Sequence, residues 1–208
     1  MRTIGVVWAC VPLIALIGCR PAAVDPVRRG ETTQTKAEVL EQNAAAGGSG
    51  AAPSASEVIK KDEAQAVDPI GKEPLDDTIT CLARTNYWEA RGEGATGMEA
   101  VANVVMNRLG HEGFPNTICK VVMQGREQGS CQFSWWCDGR SDDAKDDESY
   151  AIAKEIARTA LNLQLTDRTG GALYFHQRRS PPGWARKYIK TAEVAGFVFY
   201  KPRGGEAK

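Results

Sequence analysis

Asn86-Tyr87-Trp88-Glu89-Ala90-Arg91-Gly92-Glu93-Gly94 decides how the folded part of this chain reads. The stretch ends a helix predicted from about Asp77 to Arg91, and Gly92 and Gly94 supply the stop. Residues four apart share a helix face, with Cβ atoms about 5–6 Å apart, so Glu89 and Glu93 are expected side by side. Leu82 and Asn86 fall on the same face. A carboxylate beside apolar groups is partly desolvated. Desolvation raises its pKa, and a like charge nearby raises it further. Glu89 is therefore a candidate general acid near neutral pH.

Outward from this stretch, Asp76 and Asp77 suit the first turn of the helix they begin. A second helix follows, with Thr96 and Glu99 in a capping-box pattern. Met98, Val101, Ala102, Val105 and Leu109 keep helical spacing up to Gly110. Residues 111–147 read mostly as loop, with Phe114-Pro115-Asn116, Gly125, Gly129 and the aromatic cluster Phe133, Trp135, Trp136. Asp142, Asp143, Asp146, Asp147 and Glu148 precede a third helix from Ser149 to about Leu163, built on Ile152, Ile156 and Leu163. The acidic run lacks the D-x-D-x-D-G spacing of a calcium loop, so it reads as a solvated turn. Residues 172–176 and 196–200 are rich in aromatic and β-branched residues and are expected as strands, with Ser180–Trp184 as a loop between them. The predicted class is α+β, helices first and a small antiparallel sheet near the C-terminus.

The chain has 208 residues and zero formal net charge, and nothing global points to nucleic acid. Beyond the N-terminus no apolar run approaches the roughly 20 residues of a membrane span. The N-terminus itself has Arg2, an apolar run from Ile4 to Ile17, then Leu16-Ile17-Gly18-Cys19. This reads as a secretory signal over residues 1–18. The four residues ending at Cys19 resemble the lipobox of bacterial lipoproteins, which implies cleavage before Cys19 and its lipidation. Arg20, where an Asp would signal retention, leans toward the periplasmic face of the outer membrane. The expectation is thus a lipid-anchored cell-envelope protein. Residues 19–76 read as a flexible low-complexity linker, because every residue from Ala44 to Ser56 is Ala, Gly, Ser or Pro. As a coil it would reach roughly 40 Å. The folded domain is expected over residues 77–208, and a monomer is the expectation.

With Cys10 in the signal and Cys19 lipidated, Cys81, Cys119, Cys131 and Cys137 remain, an even number suited to an oxidising compartment. Three pairings are possible. Cys131–Cys137 closes a short loop and is favoured, with Cys81–Cys119 tying the first helix to a later loop. Zinc is disfavoured, since no C-x-x-C occurs and only His111 and His176 are present. No metal or other cofactor is expected.

Charge is uneven. Between Arg168 and Arg203 lie Arg178, Arg179, Arg186, Lys187, Lys190 and Lys201, against Glu193 alone. A basic surface beside a carboxylate-bearing cleft suits an anionic substrate. Trp184 and Tyr188, if exposed, suit sugar rings. Together these point to a carboxylate-bearing glycan such as peptidoglycan, although a plain solvated basic face explains the run as well. For Trp135 and Trp136, core and sugar-binding roles are both open.

Tyr87-x-Glu89-Ala90-Arg91-Gly92-Glu93 resembles the Y-x-E-A-R-G-E motif of the SleB/CwlJ-type cell wall hydrolases. Ala100-Val101-Ala102-Asn103-Val104-Val105-Met106-Asn107-Arg108 follows, then Phe114-Pro115-Asn116-Thr117-Ile118, Cys131-Gln132-Phe133-Ser134 and Thr169-Gly170-Gly171-Ala172-Leu173-Tyr174-Phe175. The resemblance covers about residues 81–200. It implies a compact lysozyme-related fold and cleavage of the peptidoglycan glycan strand, with Glu89 as the catalytic carboxyl. Spore members of that family behave as lytic transglycosylases. The signal, linker and cysteines depart from the spore pattern, so a germination role is not carried over.

The expected reaction has Glu89 protonate the glycosidic oxygen between N-acetylmuramic acid and N-acetylglucosamine, then accept the proton of the muramic C6 hydroxyl as a 1,6-anhydro ring closes. Glu93 is given a supporting role: raising the Glu89 pKa, or pairing with Arg91 or Arg108. Tyr87, Phe133, Ser134, Trp135, Tyr174, His176 and Trp184 are further candidates for binding or support. The alternatives are a true muramidase or glucosaminidase using water, and a non-catalytic peptidoglycan-binding lipoprotein.

Overall fold

A computed structural model of the chain describes residues 26–47 and 52–204. The signal, Cys10 and Cys19 lie outside them. Among the described residues no helix is long and apolar enough to cross a membrane.

The helix containing Glu89, here α3 (Thr78–Ala90), is the centre of the molecule. Its start is fixed by Asp77, whose carboxylate accepts from the Thr80 N–H at 2.9 Å. Ile79, Cys81, Leu82, Ala83, Thr85 and Tyr87 are buried around its whole circumference, the signature of an interior helix. It packs on α4 (Gly94–Arg108), α5 (Ile118–Val122) and α6 (Asp147–Leu161). The Cys81–Cys119 disulfide ties α3 to α5, and Cys131–Cys137 closes the loop beyond, as the favoured pairing had it.

Strands β1 (Tyr174–Gln177), β2 (Ile189–Val194) and β3 (Phe197–Lys201) form an antiparallel sheet in the order β1-β3-β2. Phe197 and Phe199 bury against the helices. The architecture is thus helical with a small C-terminal antiparallel sheet, the expected α+β class. Strand β2 was missed because its sequence Ile-Lys-Thr-Ala-Glu-Val is largely exposed and a register shift between Lys190 and Ala192 breaks its alternation.

The linker expectation fails over the described part of residues 19–76. Helix α1 (Pro26–Ala45) lays Thr33, Ala37, Leu40 and Glu41 against the domain, one helical face at three- and four-residue spacing. Ile59 is buried, and its backbone exchanges hydrogen bonds with the Asn162 amide at 3.0 and 2.9 Å. Helix α2 (Lys61–Ala66) is joined to α1 by Lys36–Glu63 at 2.9 Å. Beyond it, Asp68 is buried and accepts from Arg84 Nη2 at 2.7 Å and Tyr150 Oη at 2.5 Å. Low large-apolar content misled the reading: the interface uses small side chains and a buried ion pair.

The other corrections are local. Helix α4 starts at Gly94, so Thr96 lies inside it and Glu99 pairs with Arg168 at 2.8 Å instead of closing a capping box. Helix α6 starts at Asp147, two residues before the expected Ser149, because Asp146 caps it through the Ser149 N–H at 3.0 Å. Within the expected 111–147 loop lie α5 and short helical turns at Arg126–Gln128 and Ser134–Trp136.

Candidate active site

Glu89 sits in the last turn of α3, half-buried, on the wall of a cavity of about 450 Å³. Burial pushes its carboxyl up from an ordinary 4.5 to about 7, and the nearby Arg108 cation holds back the rise. Half of such groups carry a proton at neutral pH.

Arg108, the last residue of α4, is 3% exposed. Its Nε donates to the Leu173 carbonyl at 2.7 Å, anchoring α4 to the segment that leads into β1. Its guanidinium carbon lies 5.1 Å from the ring centroids of Phe114 and Phe133 and 5.6 Å from that of Tyr174. Burial lowers its pKa to about 10, with Tyr174 and Glu89 acting the other way. It remains a cation at neutral pH.

The sheet supplies the opposite wall. Tyr174, Phe175, His176 and Gln177 of β1 line the cavity, with Trp184 and Tyr188 from the turn at Gly183–Lys187 and its exit. The Tyr174 ring is 6.0 Å from Trp184 and 5.0 Å from Tyr188, a half-buried aromatic ledge. His176 is held by Tyr200 Oη at 3.1 Å and by the Gln177 carbonyl at 2.8 Å. The Cys131–Cys137 loop contributes Cys131 and Gln132.

Among the predicted residues, the cavity gathers Glu89, Cys131, Tyr174, His176, Trp184 and Tyr188. The others lie elsewhere. The Tyr87 side chain is buried, and its hydroxyl accepts from Arg91 Nη1 at 2.8 Å and from the Asp146 N–H at 3.1 Å, so it braces the α3–α6 packing. Phe133 is buried beneath Arg108 and Phe175, and so supports the wall from behind. Ser134 is exposed and outside the cavity lining. Trp135 is buried in the core with its indole N–H sealed from solvent and unpartnered.

Glu93 is not among the residues that line the cavity with Glu89. Helix α3 ends at Ala90, one residue before the expected Arg91, and a tighter helical turn at Arg91–Glu93 swings the chain away before α4. The Glu93 carboxylate lies against Gly196, where a Cβ would overlap it. Glu93 forms no ion pair with Arg91 or Arg108 among the described residues. Arg91 instead stacks on Tyr87 and Trp88 at 5.0 and 4.6 Å. The elevated Glu89 pKa therefore comes from burial, not from Glu93.

Sequence reasoning missed Arg108, Gln132, Phe175, Gln177 and Phe197 as lining residues. Gln132 and Phe175 lay inside quoted motifs. Arg108 at a helix end reads as an ordinary dipole-compensating cation. A larger cavity, about 680 Å³, lies between α1 and residues 66–77; Glu89 is not in its lining, which includes Glu31, Glu38, Glu73 and Asp76.

The profile of the cell wall hydrolase family matches residues 92–200. The chain belongs to that family. It is 32% identical over 128 residues to a spore cortex-lytic enzyme of Bacillus cereus, covering 59% of this chain and 44% of that one. A spore cortex-lytic enzyme of Halalkalibacterium halodurans is also 32% identical, over 127 residues, covering 60% of this chain and 34% of that one. The chain thus spans less than half the length of these curated relatives. The crystal structure of the Bacillus cereus SleB catalytic domain superposes with a TM-score of 0.48 at 29% identity, covering 60% of this chain and 89% of that one. The Bacillus anthracis SleB catalytic domain gives 0.49 at 30% identity, covering 63% and 98%.

Proposed function

We propose that the protein cleaves the glycan strand of peptidoglycan between N-acetylmuramic acid and N-acetylglucosamine as a lytic transglycosylase. Membership of the cell wall hydrolase family supports the substrate class. One observation carries the reaction type: Glu89 is the single carboxyl among the residues lining the cavity, and it is poised near neutrality. Hydrolysis by paired carboxylates needs a second group about 5–5.5 Å or 6.5–9.5 Å away, across the scissile bond. Glu93, the nearest in sequence, faces Gly196 instead.

In the proposed reaction, protonated Glu89 gives its proton to the glycosidic oxygen and the bond from that oxygen to muramic C1 breaks. An oxocarbenium-like centre develops at C1. The muramic C6 hydroxyl oxygen attacks it while its proton passes to the Glu89 carboxylate. The acid is restored and an anhydro ring results, with no water consumed. Tyr174, Trp184 and Tyr188 offer ring faces against which the sugars stack. His176, fixed by Tyr200, offers a binding contact and not a base.

Lipidation of Cys19 remains part of the proposal. The described fold begins seven residues later, at Pro26. Seven extended residues span at most about 25 Å. A tether of that length would hold the catalytic domain near the membrane surface, closer than the coil first expected.

Digestion of purified sacculi followed by mass spectrometry tests the reading. Anhydro-muramyl ends are expected, and free reducing ends would indicate the hydrolytic alternative. A protein that binds sacculi and leaves them intact would be the non-catalytic lipoprotein.

A further inference from the structure

The cavity contains a cation that the proton-transfer step leaves unused. Arg108 lines it while 97% withdrawn from solvent as a residue. One of its donors, Nε, is satisfied by Leu173, but Nη1 is buried without a hydrogen-bond partner. The rings of Phe114, Phe133 and Tyr174 stabilise the charge through their faces. They provide no counter-charge.

A buried guanidinium normally sits with a carboxylate, since an uncompensated charge in the interior is costly. Among the described residues no carboxylate forms an ion pair with Arg108. Glu89 shares its cavity, yet Glu89 must be protonated to act as the acid, and a protonated carboxyl cannot neutralise a cation. In the reactive state the positive charge therefore lacks an anion, and the open cavity is where one can arrive. The exposed Arg186 and Lys187, in the turn between the lining residues Trp184 and Tyr188, carry the same sign of charge.

We infer that Arg108 receives a carboxylate of the bound sugar, and that the enzyme prefers strands whose muramyl lactyl groups are free acids. This rests on the glycan-cleaving reading. Where a peptide is attached, the lactyl group is a neutral amide, and a neutral acceptor is held by a guanidinium about half as strongly as a charged one. The preferred substrate is then peptide-free glycan, so an amide-cleaving reaction at the lactyl group acts before this one. Arg108 is a specificity residue in this account; Glu89 alone carries the proton.

The test compares peptide-free glycan strands with the same strands after their lactyl carboxyls are converted to N-methylamides. The parent enzyme is expected to cleave the free acid on the order of tenfold faster. Arg108→Gln should cleave both forms slowly and at similar rates. The ratio is internal to each protein, so partial loss of folding cancels. Equal rates for the parent overturn the inference, as does a ratio that Arg108→Gln retains. If that variant does not fold, the parent ratio alone decides. A parent enzyme that cleaves neither strand overturns the glycan-cleaving reading itself.

Discussion

Glu89 at the end of α3 and Arg108 at the end of α4 face one cavity without forming an ion pair, and each shifts the other's protonation equilibrium. Burial drives the carboxyl up and the guanidinium down. Their mutual attraction opposes both shifts. The result is a carboxyl near 7 beside a fixed cation, an arrangement that can donate a proton and take it back at physiological pH.

The pH dependence of cleavage follows. The reactive form has Glu89 protonated, so the rate should fall as pH rises through about 7. A rate profile on sacculi at constant ionic strength checks this. A rate still rising at pH 8 would assign the proton donor to another group.

The same shift has a stability consequence. In the unfolded chain Glu89 ionises near 4.5; in the folded one it holds its proton to about 7. Between these values the native state binds the extra proton, so folding stability declines as pH rises and then levels off. Glu89→Gln removes this penalty. The variant should match the parent near pH 4 and exceed it at pH 8 by about 1–3 kcal/mol, the upper end discounted for solvent in the cavity. Thermal melts of both proteins at the two pH values measure it.

The segment before Asp77 should behave as part of the fold. Asp68 is held below the usual carboxylate range: desolvation opposes this, but hydrogen bonds from Tyr150, the Glu73 backbone and Arg84 outweigh it. A depressed carboxyl contributes stability above its ordinary pKa and loses it as pH falls through the folded value. Arg84→Met leaves that carboxylate buried and unpaired, at a cost of about 3–5 kcal/mol. Urea unfolding of Arg84→Met, and of a chain beginning at Asp77, should both show lost stability. An unchanged midpoint in the shortened chain would restore the flexible-linker view.

The two disulfides should separate into different roles. Loop entropy scales with the enclosed length, and the separations are 38 and 6 residues. Removing Cys81–Cys119 should cost about 4 kcal/mol and Cys131–Cys137 about 2 kcal/mol. Activity should rank the other way, because the shorter loop carries Gln132 and Cys131 on the cavity wall and Phe133 behind it. Paired Cys→Ser variants, compared by denaturation and by cleavage rate, check both orders.

Much of this was legible in the sequence, and the exceptions have physical reasons. Helices α4 and α6 follow from their apolar spacing, α3 from its acidic start and glycine stop, and strands β1 and β3 from their aromatic and β-branched content. Glu89 could be named from its motif. Glu93 could not be placed, because helical spacing holds only while the helix continues, and it ends at Ala90. The docking of α1 was hidden because Ala37 and Thr33 bury little area each, and the Asp68–Arg84 contact joins residues with no local pattern. Arg108 gave no sign of its cage, since Phe114, Phe133 and Tyr174 come from three separate segments.

The central claim is that Glu89 alone transfers the proton and that no water enters the product. Digestion of sacculi in heavy-oxygen water, with Glu89→Gln as control, tests it most directly. The account predicts muramyl ends that lack the heavy isotope and are lighter by one water than hydrolytic ends. It also predicts a loss of about a hundred- to ten-thousand-fold in the control. Heavy-oxygen-labelled reducing ends from the parent, or undiminished cleavage by Glu89→Gln, would contradict it.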